Sequence, residues 1–108
     1  MNAKSNIYGE YGVWEGIVKL LAPDVKIIDV GRRPIDDYVF EAVVSFQEGV
    51  NDIIIKGRGD FISKAIDTYW ALKDRLGDSI ELVKVEIGSE RYRGRYRSFI
   101  SIRIRRKY

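Results

Sequence analysis

Apolar side chains recur along this chain with two spacings, and the change from one to the other marks out its elements. VKIIDV, Val25 to Val30, is a β-branched run closed by Gly31, which predicts a buried strand. Next, Ile35, Tyr38, Val39, Ala42, Val43 and Phe46 follow the i, i+3, i+4, i+7 spacing that gathers side chains on one face of a helix. Pro34 stands where a helix tolerates a missing N–H, Asp36 and Asp37 suit the positive end of its dipole, and Gly49 is a suitable terminator. A helix is therefore predicted over about 34–48. NDIIIKG predicts a second strand at about 52–56, continuous in the manner of covered strands. Asp60 is placed to cap a second helix. Its stripe of Ile62, Ala65, Ile66, Tyr69, Leu72 or Lys73, and Leu76 runs up to Gly77, with Trp70 beside it.

The remaining stretch, from Ser79 onward, alternates at period two on both sides of Gly94, the pattern of a long antiparallel hairpin. With Arg93-Gly94 as a two-residue turn, Val83 faces Ile104, Val85 faces Ile102 and Ile87 faces Ile100, so the apolar faces coincide. A three-residue turn without a bulge would set Val85 against Arg103, which a buried face does not accept; a looser four-residue loop over 92–95 keeps the favoured register. Beyond Ile87 and Ile100 no large aliphatic pair is left to bury. The segment from Ser89 to Ser98 is therefore expected to protrude as an arm roughly 15 Å long, at about 3.4 Å per residue.

The order strand, helix, strand, helix, strand, strand is that of an α+β, two-layer fold with two helices packed on a four-stranded sheet. That domain spans residues 25–108. Residues 1–24 precede it as an extension in which VWEGIVKLL has weak helical spacing, interrupted by Gly16 and stopped by Pro23. An appended short helix and a mobile lead are both compatible with that pattern.

A length of 108 residues is one domain's worth, and no apolar run approaches the roughly 18 residues of a membrane span. The N-terminal stretch lacks the basic-then-apolar pattern of a secretory signal and there is no cysteine, so an intracellular, cytoplasmic location is expected. One Met, one Gln and three Asn among so many charges resemble the depletion of labile residues in thermophiles. Formal net charge is only +3, but it is unevenly spread. Residues 1–54 carry 5 Lys and Arg against 9 Asp and Glu, whereas residues 55–108 carry 14 against 7, and the stretch from Arg91 to Tyr108 holds 8 basic residues and no acidic one. A basic end of this kind is the footprint of a polyanion binder.

Three segments carry candidate chemistry. RYRGRYR contains Arg91, Arg93, Arg95 and Arg97 with Tyr92 and Tyr96. In the predicted register Arg91 and Arg93 continue the face buried lower down, while Arg95 and Arg97 project from the other, so both faces of the arm are cationic. A solvated hairpin tip would look similar, with Glu90 paired to Arg97 and Tyr92 stacked against Arg95. Arg32 and Arg33 follow the first strand. Lys56 and Arg58 sit among glycines before the second helix, where backbone N–H groups attract phosphate, although Asp60 opposes it and the motif matches neither a Walker loop nor a dinucleotide fingerprint. No cofactor or metal motif is present. Absence of His and Cys removes the commonest general base, the thiol nucleophile and most zinc ligand sets, and no carboxylate pair stands out, so the chain is not read as an enzyme.

Taken together, GRRPIDDYVFEAV, IIIKGRGDFISKAID and VEIGSE before a basic hairpin resemble the Alba family of archaeal chromatin proteins, over residues 25 to 108. The resemblance implies a fold with a mixed four-stranded sheet and a protruding hairpin arm, akin to the C-terminal domain of bacterial translation initiation factor three. It further implies a nucleoid-associated homodimer that binds double-stranded DNA, and often RNA, with little sequence preference; assembly with a family paralogue is left open. By position, Arg32, Arg33, Lys56, Arg58, Arg91, Arg93, Arg95 and Arg97 would form the contact surface, with the arms reaching adjacent minor grooves. Tyr92 and Tyr96 are suited to stacking on unpaired bases, as an RNA-binding subunit of a ribonuclease P-like particle would require. The chain departs from the family pattern in four places. Arg32-Arg33 replaces a lysine pair and so offers no amine to acetylate. Asp60 stands at a position that is often basic. Leu76 falls where some members carry a phenylalanine that mediates dimer–dimer packing, which weakens the case for cooperative coating of DNA. The N-terminal lead is not usual.

Overall fold

The computed structural model describes residues 24–108. The helix or mobile lead expected over 1–24 lies, apart from Asp24, outside the described residues. The strands are β1 (Val25–Val30), β2 (Asp52–Arg58), β3 (Ile80–Tyr92) and β4 (Arg95–Arg106), and the helices are α1 (Ile35–Gln47) and α2 (Ile62–Leu76). They form a mixed sheet of order β1-β2-β4-β3, with β1 parallel to β2 and β4 antiparallel to both β2 and β3. Both helices cover one face, the two-layer arrangement predicted from periodicity.

Period-two alternation sorts the strands between the layers. Ile28 and Val30, Ile53 and Ile55, and Ile100, Ile102 and Ile104 turn toward the helices, where they meet Tyr38, Val39, Ala42 and Phe46 of α1 and Ala65, Tyr69 and Leu72 of α2. Full burial of one such aliphatic side chain stabilises the fold by about 1.5–3 kcal/mol. Gly57 continues this face, and it has to be glycine: a Cβ there would lie 2.4 Å from the Phe61 carbonyl oxygen and 2.7 Å from the Ala65 Cβ. The first turn of α2 thus presses directly on the β2 backbone.

Two local expectations are corrected. Asp60 does not cap α2; it lies in a short 3₁₀ turn, Gly59–Phe61, and α2 starts at Ile62 with no side-chain cap bond. Strand β2 also runs on to Arg58, because its last residues still pair with β4 through Arg58 and Phe99. At the other end of α2, Gly77 takes the positive φ of +56° expected of a terminator.

The hairpin closes through the predicted two-residue turn. Arg93 (φ +51°) and Gly94 (φ +78°) both have positive φ, the signature of a type I′ turn, whose twist matches that of paired strands. Ile87 faces Ile100 and Val85 faces Ile102 as derived, but Leu82, not Val83, faces Ile104, because Val83 is bulged out between Leu82 and Lys84. The extra residue moves Ile80 onto the helix side, where it is only 1% exposed. The sequence-derived register would have left that side chain on the polar face. Val83, Val85 and Ile87, expected on a buried face, are exposed, Ile87 by 80%, and so is Leu82. The helices lie over β1, β2 and β4 and leave this edge strand uncovered.

Candidate nucleic-acid interface

Strand direction brings the three basic segments together. Because β1 and β2 are parallel, the loop after Val30 and the turn after Arg58 leave the sheet at the same end, and β3 runs into the hairpin there too. Residues 31–34, residues 59–61 and the arm therefore share one edge of the fold.

The first loop is organised from below by Tyr38. Its buried ring supports a hydroxyl that accepts the backbone N–H of Gly31 (2.8 Å) and of Arg33 (3.2 Å), while Lys64 of α2 donates to the Gly31 carbonyl at 2.7 Å. The Arg33 guanidinium lies 4.8 Å over the Tyr38 ring and donates to Glu41 at 3.2 Å. Hydrogen bonding to Tyr38 first, and to Glu41 second, raises the Arg33 pKa above its ordinary value, so the group is always cationic. Glu41 is also 3.4 Å from Lys26. Arg32 is exposed and makes no ion pair among the described residues.

The second segment departs from expectation. On β2, alternation sends Lys56 and Arg58 to the open face of the sheet, opposite the helices, and there both reach across β4 to Glu90. Lys56 pairs with one oxygen of that carboxylate; Arg58 binds the other at 3.1 Å and also pairs with Asp29. Lys56 is 4% exposed and Glu90 2%. The Lys56 ammonium sits 4.7 Å over the Phe99 ring, and that ring fits only because Gly88 opposite has no Cβ, which would lie 2.8 Å from it. The Lys56 ammonium is therefore enclosed by its pair with Glu90, and Arg58, its side chain 12% exposed, is largely withdrawn into the same cluster. The cross-strand ion pair expected between Glu90 and Arg97 gives way to this one, although the two residues do face each other in the register.

The arginines of the third segment lie in solvent. Arg91, Arg93, Arg95, Arg97 and Tyr96 are exposed, and none of these four arginines makes an ion pair among the described residues. The register places Arg91 and Tyr96 on one face and Tyr92, Arg95 and Arg97 on the other. Arg93 caps the Tyr92 ring at 5.2 Å, and Arg95 faces Tyr92 in the register. At the arm's base the Arg97 guanidinium lies against Gly59, where a Cβ would come within 3.0 Å of its Nη2, and this links the arm to the turn that precedes α2.

The other C-terminal arginines are engaged within the fold. Arg103 and Arg105 clasp the buried Asp52 carboxylate at 2.6 and 2.9 Å, and Arg106 bonds Asn51 and the Phe46 carbonyl. Arg105, and after it Arg103, holds the Asp52 carboxyl below its usual range against the opposing effect of burial. Leu76 lines a shallow hollow with Val43, Phe46, Ile80 and Arg106 at the end of the sheet opposite the arm. No cluster of metal-ligating side chains occurs among the described residues.

Sequence reasoning missed Tyr38, Glu41 and Glu90, whose roles depend on contacts between strands and helices; only the phase of Tyr38 on the buried stripe hinted that it lies beneath the loop.

The profile that describes Alba matches residues 26–89. The DNA/RNA-binding protein Alba 2 of Saccharolobus solfataricus is 46% identical over 76 residues, covering 70% of this chain and 85% of its own length. The solved structure of Alba from Thermoplasma volcanium superposes with a TM-score of 0.68 at 33% identity, over 75% of this chain and 100% of that one. An Alba structure from Trypanosoma brucei reaches a TM-score of 0.67 at 17% identity, a likeness of fold. On the profile match, the identity to its relatives and the shared architecture, this chain is a member of the Alba family.

Proposed function

We propose that this protein binds nucleic acid, and specifically that two copies grip double-stranded DNA without sequence preference as an architectural component of the nucleoid. One observation carries this reading: Arg32 and the four arm arginines stand at one edge of the fold and form no ion pair among the described residues, while the other C-terminal arginines are consumed internally. Relatives named as DNA/RNA-binding proteins support the same class of ligand. Both faces of the arm are cationic, which suits a ribbon lying in a minor groove between two phosphate backbones.

Dimer formation is supported by the uncovered edge of β3. Leu82, Val85 and Ile87 continue the apolar side of the sheet past the helices, and Ile66 and Trp70, 36% and 61% exposed, lie on the flank of α2 from which Lys73 reaches the Ile80 carbonyl at 3.2 Å. An apolar ledge of this extent marks an interaction surface, and a second copy supplies a matching one.

The test is the salt dependence of duplex binding. A dimer engaging about 6–8 phosphates gives a log-log slope of about −5 to −7 and equal affinity for unrelated sequences. Arg32→Ala weakens all duplexes alike. A salt-insensitive or sequence-selective complex refutes the proposal. The exposed ring of Tyr96 favours a second reading as an RNA-binding subunit of a ribonuclease P-like particle. Competition between duplex DNA and structured RNA distinguishes the two, since Tyr92→Leu with Tyr96→Leu removes RNA binding selectively under the second.

A further inference from the structure

We propose that Glu90 is a positioning residue, a carboxylate latch that fixes the direction of the hairpin arm by binding Lys56 and Arg58, and that these two cations serve the arm's geometry and not phosphate. The proposal rests on the nucleic-acid reading only for its second readout.

The last rung between β2 and β4 joins Arg58 to Phe99. From Ser89 to Ser98 the hairpin continues with no third strand, and a two-stranded ribbon has little stability of its own. Glu90 is in the second ribbon pair beyond that rung, opposite Arg97. Its side chain turns back across β4 to the two cations of β2, one on each carboxylate oxygen, and is 2% exposed. Asp29 of β1 holds Arg58 from the other side, so the tie runs across the whole sheet. Gly88 and Phe99 complete the seat, because the ring lies flat where Gly88 has no side chain and Lys56 rests on its face. With Glu90 fastened to the open face, Arg95 and Arg97 must project on that side and Arg91 and Tyr96 on the other. The latch thus sets which arginines face which phosphate backbone before any ligand arrives. An arm ordered in advance loses less freedom on binding than a swinging one.

The decisive comparison uses the full chain as wild type, Glu90→Gln, Lys56→Gln and the double variant. Lys56→Gln is the milder change, because Arg58 still holds Glu90, and it decides the matter if Glu90→Gln does not fold. Amide hydrogen exchange is measured first, without nucleic acid. The latch requires arm amides over 89–98 to exchange at least about tenfold faster in either single variant, while those of Ile53–Ile55 keep their protection relative to global unfolding. Duplex binding is measured next. Affinity falls about five- to twentyfold with an unchanged salt slope, and the double variant is no worse than Glu90→Gln, as expected of residues acting as one unit. If Lys56 were a phosphate ligand masked by Glu90, Lys56→Gln would reduce the slope by about 1 per contact and Glu90→Gln would tighten binding. That pattern, or unchanged arm exchange, overturns the latch. A wild-type chain without salt-dependent binding overturns the nucleic-acid reading alone, and the exchange experiment still decides the latch.

Discussion

The Tyr38 hydroxyl accepts the Arg33 backbone N–H at 3.2 Å while its ring lies 4.8 Å beneath the Arg33 guanidinium. One side chain therefore fixes both the path of the loop and the direction of a cation, and it is held in place because its apolar body is part of the core. Tyr38→Phe keeps the packing and removes the acceptor, which leaves the Gly31 and Arg33 N–H groups unsatisfied in a part-buried site. The expected cost is about 1–3 kcal/mol in chemical denaturation. Weaker duplex binding should accompany it.

Glu41 restrains Arg33 from the helix side, in a pair that is largely solvated. Exposed pairs contribute about 0–1 kcal/mol to stability, so Glu41→Gln should leave the melting temperature almost unchanged. Binding should respond in the opposite direction to an arginine deletion: release of Arg33 is expected to tighten duplex affinity about two- to fivefold at low salt, with the gain fading as salt rises. Titrations at two ionic strengths check this.

Asp52 supplies the pH dependence. Its folded pKa is lowered by Arg105 and Arg103, so the stability that it contributes is fully present above the unfolded value of about 3.9 and is lost as pH falls through the lower folded value. Asp52→Asn should therefore cost about 1–2 kcal/mol at pH 7 and progressively less below about pH 4. Parallel denaturation curves for both proteins at pH 7 and pH 2.5 test the convergence.

Gly57→Ala should be disproportionately destabilising for a single methyl. The added Cβ meets the Phe61 carbonyl and Ala65, both fixed by the start of α2, so neither can swing aside. A loss of about 1–3 kcal/mol is expected, with faster exchange in the first turn of α2 as the local signature.

Replacing Ile87 with Glu tests the ledge on β3. In a lone protomer this side chain is 80% exposed, so the fold should tolerate the change. In a dimer the carboxylate would be buried without a partner at a cost of several kcal/mol. Sedimentation should then find the variant monomeric where the wild type is dimeric, with an unchanged circular dichroism spectrum.

The helices and the hairpin were legible because each repeats its apolar residues at a period that only one secondary structure satisfies, and β1 and β2 were legible as short β-branched runs. The Arg93-Gly94 turn and the register down to Val85 followed from a single requirement, that large aliphatic side chains face one another. That rule breaks at Val83, since the bulge serves the distant burial of Ile80. The exposure of the arm arginines was legible for a related reason, because no acidic residue follows Glu90 in the chain. The pairing of Lys56 and Arg58 was not legible because their partner Glu90 is 34 and 32 positions away, on a strand separated from β2 by β4. The same holds for Asp52, which lies 51 positions from Arg103. Nothing local encodes a sheet order of β1-β2-β4-β3, and that order decides which charges neutralise one another.

The displaced Val83 has a consequence for how this protein behaves when crowded. A straight outer strand carrying Leu82, Val85 and Ile87 would present an unbroken row of amide donors and acceptors beside an oily margin, a template on which further strands add without limit and fibrils grow. An irregular backbone in the middle of that row twists the margin and interrupts its hydrogen-bonding rhythm, so greasy contact with a second body remains open while endless stacking does not.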